Sequence, residues 1–250
     1  MRTLAVIPAR LGATRLPRKP LRLLAGQPLV LRVWERVIAI GAADHCVIAT
    51  DSDEVVRAAR ARGADVVLTR ADHRSGTDRV AEVARRPEFA DYDAVVNVQG
   101  DEPFVPAHAV LGATALVTGG AFPLGTAAAR TRLAVLNDPN VVKVVAADDG
   151  RAMYFSRAAI PFLRDAEDTS VQATRVWQHI GVYAYSRAAL DCWVNLGLHP
   201  LERIERLEQL RPLAAGMRMG VAVIDEPLPL GIDTEEDLAR ANREWGSTTG

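Results

Sequence analysis

Lysine is nearly absent from this chain: only Lys19 and Lys143 are lysines among 30 basic side chains, and the rest are arginine. Where arginine serves almost every cationic need, each retained lysine is a position to question. Aromatic residues are sparse at 5%, and neither sign of charge is in excess, with 30 basic against 31 acidic residues. That balance excludes a broad electrostatic grip on nucleic acid or an anionic lipid surface, so charge has to act locally. The only two cysteines, Cys46 and Cys192, lie far apart in apolar stretches without the short spacing of a zinc or redox pair. They read as buried thiols in a reducing compartment. No apolar run approaches the roughly 20 residues of a membrane span. Residues 3–8 follow Arg2 as a strand-like segment and not as a signal sequence, so a soluble cytoplasmic protein is expected.

What is present is 250 residues of ordinary globular composition, 49% hydrophobic and 24% charged, enough to bury a sizeable core. Short β-rich runs at 3–7, 46–50, 65–68 and 94–98 alternate with helical patterns at 29–40, 53–62 and 77–85. That alternation predicts βαβ units and an α/β fold with a mostly parallel, Rossmann-like sheet flanked by helices. The second half mixes strands at 124–129, 141–146 and 177–185 with helices at 187–195 and 201–210, then closes with a strand at 219–224 and a helix at 234–245. The expectation is a single domain over 1–250 carrying a smaller mixed region around 124–215, with 163–175 as a polar surface loop.

In an open parallel sheet, ligands bind beyond the carboxyl ends of the strands. The loop after the first strand carries Arg10, Arg15, Arg18 and Lys19 among glycine and prolines. It lacks both the Gly-Lys-Ser/Thr of a Walker loop and the Gly-x-Gly-x-x-Gly of dinucleotide binding, so an anion site there is built differently. A second loop, Asn97-Val-Gln-Gly-Asp-Glu-Pro103, delivers Gln99, Asp101 and Glu102. Asp101 is a candidate hard-oxygen ligand for magnesium, or equally a solvated loop acid. In the third loop Asp233, three residues before Glu236, has the spacing of a helix cap. If Asp101 and Asp233 converge, they supply a metal site that neither makes alone.

Ser75-Gly76-Thr77 opens a helix, with Ser75 or Thr77 as its cap and exposed amides able to receive an anion or the edge of a base. Strand alternation in 177–185 puts His179, Gly181, Tyr183 and Tyr185 on one face, either a hydroxyl-binding wall or a packed sheet face. Spacing alone leaves Arg157 and the pair Glu208-Gln209 as surface residues.

Taken together, Pro8-Ala-Arg10, Thr14-Arg-Leu-Pro17, Lys19-Pro20, Thr69-Arg-Ala-Asp-His73-x-Ser-Gly-Thr77, Asn97-Val-Gln-Gly-Asp-Glu-Pro103, Val142-Lys-Val-Val145, Tyr154-Phe-Ser-Arg157-Ala-x-Ile-Pro161, Leu201-Glu-x-Ile-Glu-x-Leu-Glu-Gln-Leu-Arg211 and Gly231-x-Asp-Thr-x-Glu-Asp-Leu238 resemble the 3-deoxy-manno-octulosonate cytidylyltransferase family. The match is collinear from residue 3 to about 243. The resemblance implies a nucleotidyltransferase, usually homodimeric, that joins CMP from CTP to the sugar acid Kdo with Mg2+, releases pyrophosphate and feeds lipopolysaccharide assembly. By motif position it implies that Arg10, Arg15 and Lys19 hold the triphosphate, that Asp101 and Asp233 ligate magnesium, and that Ser75, Gly76, Thr77 and Gln99 line the nucleotide pocket. Arg157, His179, Tyr183, Glu208 and Gln209 would face the sugar acid, while Lys143 has a motif without a role. The chain departs from the family at Ala13 for serine, Arg18 for glycine and Asp78 for glutamate.

Overall fold

In the computed structural model, residues 1–12, 16–130, 135–165, 175–225, 228 and 231–248 are described. Arg15, Ala13 and most of the 163–175 segment lie outside them. The chain divides into two compact units, Met1–Val105 with Pro229–Gly250, and Pro106–Leu228.

The first unit is built on β1 (Thr3–Ala9), whose apolar side chains are almost all buried. Such a run needs cover on both faces, which parallel pairing with crossover helices provides. A short hairpin follows, β2 (Leu23–Leu24) with β3 (Gln27–Pro28), then α1 (Leu29–Ile40), β4 (His45–Thr50), α2 (Asp53–Arg60), β5 (Asp65–Leu68), α3 (Gly76–Ala84) and β6 (Ala94–Val98). β1 lies between β6 and β4 and β4 pairs β5, every pairing parallel. With Val6 opposite Asn97, the loops leaving β1 and β6 emerge side by side.

The second unit opens with α4 (Ala107–Thr118), followed by β7 (Leu124–Arg130), β8 (Lys143–Ala146), β9 (Ala152–Ser156), β10 (Trp177–Ser186), α5 (Arg187–Asn195), α6 (Pro200–Glu205), α7 (Leu210–Ala214) and β11 (Met219–Ile224). β11 runs parallel to β7, whereas β10 pairs β7 and β8 antiparallel and β8 pairs β9 antiparallel. The α/β architecture and the mixed second half are as expected. α4 can pack onto this sheet closely because Gly125 has no side chain: a Cβ there would lie 2.3 Å from the Ala113 carbonyl oxygen.

Three sequence expectations are corrected. The single helix over 201–210 is two short ones, because Arg206 takes a left-handed conformation (φ 56°) that ends α6. A buried Arg211–Glu202 pair, with bonds of 2.8 and 2.5 Å, ties α6 to α7. Cys192 is exposed on α5, while Cys46 is buried and its thiol is pushed up to about 12. The third correction concerns Asp233 and is taken up with the site.

Lys143 is fully buried, and its ammonium donates to the main-chain carbonyls of Asp138, Val141 and Arg157 at 2.9, 2.6 and 2.6 Å. One side chain thus ties the turn before β8 to the end of β9. Burial lowers its pKa, although the charge is compensated by three acceptors. Lys143→Met leaves those carbonyls without their donor and is expected to cost about 2–4 kcal/mol, read as a fall in the urea midpoint with unchanged m-value.

Candidate active site

β1 ends at a cleft of about 320 Å3 whose walls come from the loops after β1 and β6 and from the start of α3. The β6 loop can reach it only through Gly100, where a Cβ would lie 2.6 Å from the Pro8 carbonyl oxygen. This close approach turns Asp101 toward the β1 loop.

Lys19 begins a single 3-10 turn, Lys19–Leu21, preceded by Arg18 in the left-handed region (φ 58°, ψ 31°). Glycine takes that conformation freely, whereas an L side chain pays roughly 1–2 kcal/mol. Arg18 occupies it with its guanidinium held by the Glu54 carboxylate. The turn is docked on the last helix, α8 (Glu235–Thr248), by a two-pronged Arg22–Glu235 pair. A shared core of Leu16, Leu24, Leu29, Ile232 and Leu238 lies beneath.

That docking brings three distant residues together. The Lys19 ammonium donates to Asp101 Oδ2 at 2.5 Å and to Asp233 Oδ1 at 2.8 Å. Lys19 is only 9% exposed. Burial opposes its charge, but the two carboxylates outweigh that penalty and hold its pKa above the ordinary lysine value. Asp101 and Asp233 therefore converge on one cation.

Asp233 is not the helix cap. Thr234 takes that place: its Oγ1 accepts from the Asp237 N–H at 3.1 Å, and Asp237 Oδ2 accepts from the Thr234 N–H at 3.0 Å. The capping box is displaced by one residue from the Asp233–Glu236 spacing, which leaves the Asp233 carboxylate to Lys19. Burial pulls against ionisation of Asp237, but bonds from Thr234, Arg240 and two main-chain N–H groups bring its carboxyl down to about 2.

Beside this pair, Glu102 is pushed up to about 8, first by burial and then by the charge on Asp101. It is protonated at neutral pH. The folded state then holds a proton that the unfolded chain, with an ordinary carboxyl near 4.5, releases, so stability falls as pH rises from about 4.5 to about 8. His179 works in the opposite sense below about 6.5, since burial lowers its pKa to about 3. The clean window is therefore pH 6.5 to 8. There the wild-type unfolding free energy is expected to drop by up to about 1.4 kcal/mol per pH unit. Urea titrations should show that slope flattened in Glu102→Gln.

Arg10 and Arg74 also line the cleft, with no acidic partner among the described residues. Arg74 escaped the sequence reading because it fills a variable motif position; its place directly before a helix start was the available signal. Arg79 lines the cleft too, but its guanidinium is held by Thr69 and by Asp51. Ser75 is the cap of α3, in a capping box with Asp78. Asp78 therefore supplies the acid of the box at the third helical position. Gly76 borders the Gln99 side chain and the Pro8 ring, where an added Cβ would meet Pro8 Cγ at 3.5 Å and Gln99 Oε1 at 3.7 Å. Thr77 is buried on the packed side of α3.

The remaining candidates lie in the second unit. The His179 ring stands 5.5 Å from that of Tyr183, which stacks on Tyr185 at 6.3 Å. The alternation survives a bulge because β10 carries two extra residues, Gly181 and Val182, opposite β7, an even number. Tyr183 is buried, and burial followed by the Glu208 charge raises its phenol well above the usual range. Gln209 is buried at the start of α7. Arg157 donates from Nε to the Glu205 carbonyl and from Nη1 to the Pro139 carbonyl.

A cytidylyltransferase family model matches residues 4–219. A 3-deoxy-manno-octulosonate cytidylyltransferase of Gemmatimonas aurantiaca is 62% identical over 98% of this chain and 95% of its own length. The enzyme of that name in Yersinia pseudotuberculosis is 45% identical over 96% and 97%. Among solved structures, CMP:2-keto-3-deoxy-manno-octonic acid synthetase complexed with CTP superposes with a TM-score of 0.90 at 34% identity, covering 99% of both chains. A 4-diphosphocytidyl-2C-methyl-D-erythritol synthase from Anaerococcus prevotii, at 14% identity and TM-score 0.63, shares the fold.

Proposed function

The chain belongs to the 3-deoxy-manno-octulosonate cytidylyltransferase family, and we infer that it transfers CMP from CTP to the anomeric hydroxyl of Kdo, releasing pyrophosphate. The observation that carries this reading is the buried ammonium of Lys19 held between Asp101 and Asp233 at the edge of the cleft. Nucleotidyl transfer needs cations on the phosphates and a pair of carboxylates beside them, and this site has both.

The sugar oxygen forms a bond to the α-phosphorus as the bond from that phosphorus to the bridging oxygen breaks, and pyrophosphate carries away the electron pair. Charge builds on the transferring phosphoryl oxygens and the leaving group, so catalysis rests on positioned cations more than on covalent chemistry. Arg10, Arg15 and Lys19 hold the triphosphate. Gln99, Ser75 and Gly76 line the nucleotide side of the pocket, whereas Thr77, implied by its motif position, is buried within α3 and does not reach the cleft. By motif position Arg157, His179, Tyr183, Glu208 and Gln209 are assigned to the sugar acid, although Tyr183 and Gln209 are buried.

The two aspartates fit a magnesium ion. Their oxygens are hard donors already converging on one cation, and no third His, Cys, Asp or Glu joins them among the described residues. Magnesium takes only one or two protein carboxylates and completes its shell with phosphate and water. Bound there, it would supply Lewis-acid charge to the phosphate oxygens. Asp101 and Asp233 would hold the ion, and Lys19, on its flexible stem beside them, supplies a point charge within reach of the triphosphate.

The product serves lipopolysaccharide assembly, and the enzyme works in the cytoplasm as a homodimer. Among the described residues no helix is long and apolar enough to cross a membrane. Exposed Phe162, Leu198 and Ile204 supply apolar surface of the kind a second copy covers. Pyrophosphate release from CTP and magnesium across a panel of 2-keto sugar acids tests the reading. Kdo should be the preferred acceptor by at least tenfold in kcat/KM, and equal or greater use of another acid reassigns the substrate.

A further inference from the structure

Thr126 belongs to no motif and is fully buried on β7, where the β10 bulge brings three groups to one hydroxyl. Its Oγ1 lies 2.7 Å from the Val182 carbonyl oxygen, 2.9 Å from His179 Nε2 and 3.4 Å from the Ile180 carbonyl oxygen. A threonine hydroxyl has one proton and two lone pairs, and the carbonyls can only accept. At 2.7 Å the Val182 oxygen requires that proton, since two acceptors that close would repel. The Thr126 oxygen is then left to accept, and His179 Nε2 must be the donor.

We propose that Thr126 is a positioning residue that fixes His179 as its Nε2–H tautomer, leaving Nδ1 to accept a hydrogen bond from a hydroxyl of the bound sugar acid. The inference rests on the reading that His179 faces that substrate. The neutral state follows from the surroundings: the ring packs edge-on against Phe155 at 4.9 Å and beside Tyr183, and burial lowers its pKa to about 3. Along the row His179, Tyr183 and Tyr185, the tyrosines are buried and His179 is the one partly open to solvent. A neutral imidazole with an open Nδ1 recognises an O–H donor and disfavours a carboxylate, which offers no proton. His179 would therefore select for the polyol part of the ligand, leaving the acid group to cationic side chains.

Nitrogen-15 NMR of histidine-labelled protein at pH 7 tests this without substrate. The wild type should show His179 protonated at Nε2 and bare at Nδ1, and protonation at Nδ1 would overturn the proposal whatever any variant does. Thr126→Ser, which keeps the hydroxyl, should retain that signature. Thr126→Val should lose it and raise the KM for Kdo about tenfold while leaving the KM for CTP within twofold. Should Thr126→Val fail to fold, the serine variant and the wild-type spectrum still decide. An unchanged tautomer and Kdo KM in a folded Thr126→Val protein would refute the positioning role. A wild type that binds CTP and has the expected tautomer but ignores Kdo would instead refute the substrate reading.

Discussion

Lys19→Arg is expected to lower kcat/KM for CTP about 100-fold, equivalent to about 2.7 kcal/mol of transition-state stabilisation, although the formal charge is unchanged. One small nitrogen of Lys19 makes both contacts, to Asp101 Oδ2 at 2.5 Å and Asp233 Oδ1 at 2.8 Å. A guanidinium spreads its donors over a rigid plane and cannot place a single nitrogen at that point from a residue only 9% exposed. It is also the wrong group to serve both carboxylates and phosphate, because a bidentate Arg–carboxylate pair is held in a fixed geometry. Steady-state kinetics at saturating magnesium decides the matter, and turnover within threefold of wild type would reduce Lys19 to a generic positive charge. The arginine-rich background sharpens the comparison, since the chain uses arginine at 28 of its 30 basic positions.

Asp233→Asn separates charge from capping. With the cap supplied by Thr234 and Asp237, the amide substitution should leave the melting temperature within about 2 °C. Turnover should fall about 100-fold or more, because one of two anionic oxygens facing the cation is lost. Thr234→Ala is the mirror experiment: it removes the cap, costs about 1 kcal/mol of stability and leaves kcat within twofold. Melting temperature and kcat measured on both variants check the assignment. A fall in stability without loss of activity in Asp233→Asn would return Asp233 to the capping role that its sequence spacing favours.

The two assignments explain which parts of the molecule could be read from the sequence. β1, β4 and β6 were legible because strands covered on both faces are nearly continuous apolar runs bounded by polar loops. α4 was not: apart from His108 and two threonines, Ala107–Thr118 consists of alanine, glycine, valine and leucine on its exposed and buried faces alike, so no clear amphipathic period marks it. The 201–210 pattern kept helical spacing through a residue whose backbone leaves the helix, and side-chain periodicity does not register the left-handed turn at Arg206.

The site shows the same division. Position at strand ends identified the loops carrying Lys19, Asp101 and Asp233. Their convergence depends on contacts across 82 and 214 residues, which no local pattern encodes. At Asp233-Thr234 two adjacent good capping residues competed, and only the geometry of α8 chose between them. Gly100 passed as a motif residue because its requirement lies in the proximity of Pro8. Lys143 gained a role only when three carbonyls from separate turns met its ammonium. The Arg18 departure proved compatible with the loop, since the backbone there takes the conformation glycine would have supplied.

Phosphorus-31 NMR of CTP and Kdo with magnesium and catalytic protein reads the central claim directly. The account predicts that the three CTP resonances give way to one phosphodiester signal and pyrophosphate in equal amounts, with no consumption of CTP when Kdo is omitted. Appearance of CDP and orthophosphate, or CTP left intact beside Kdo, would contradict it.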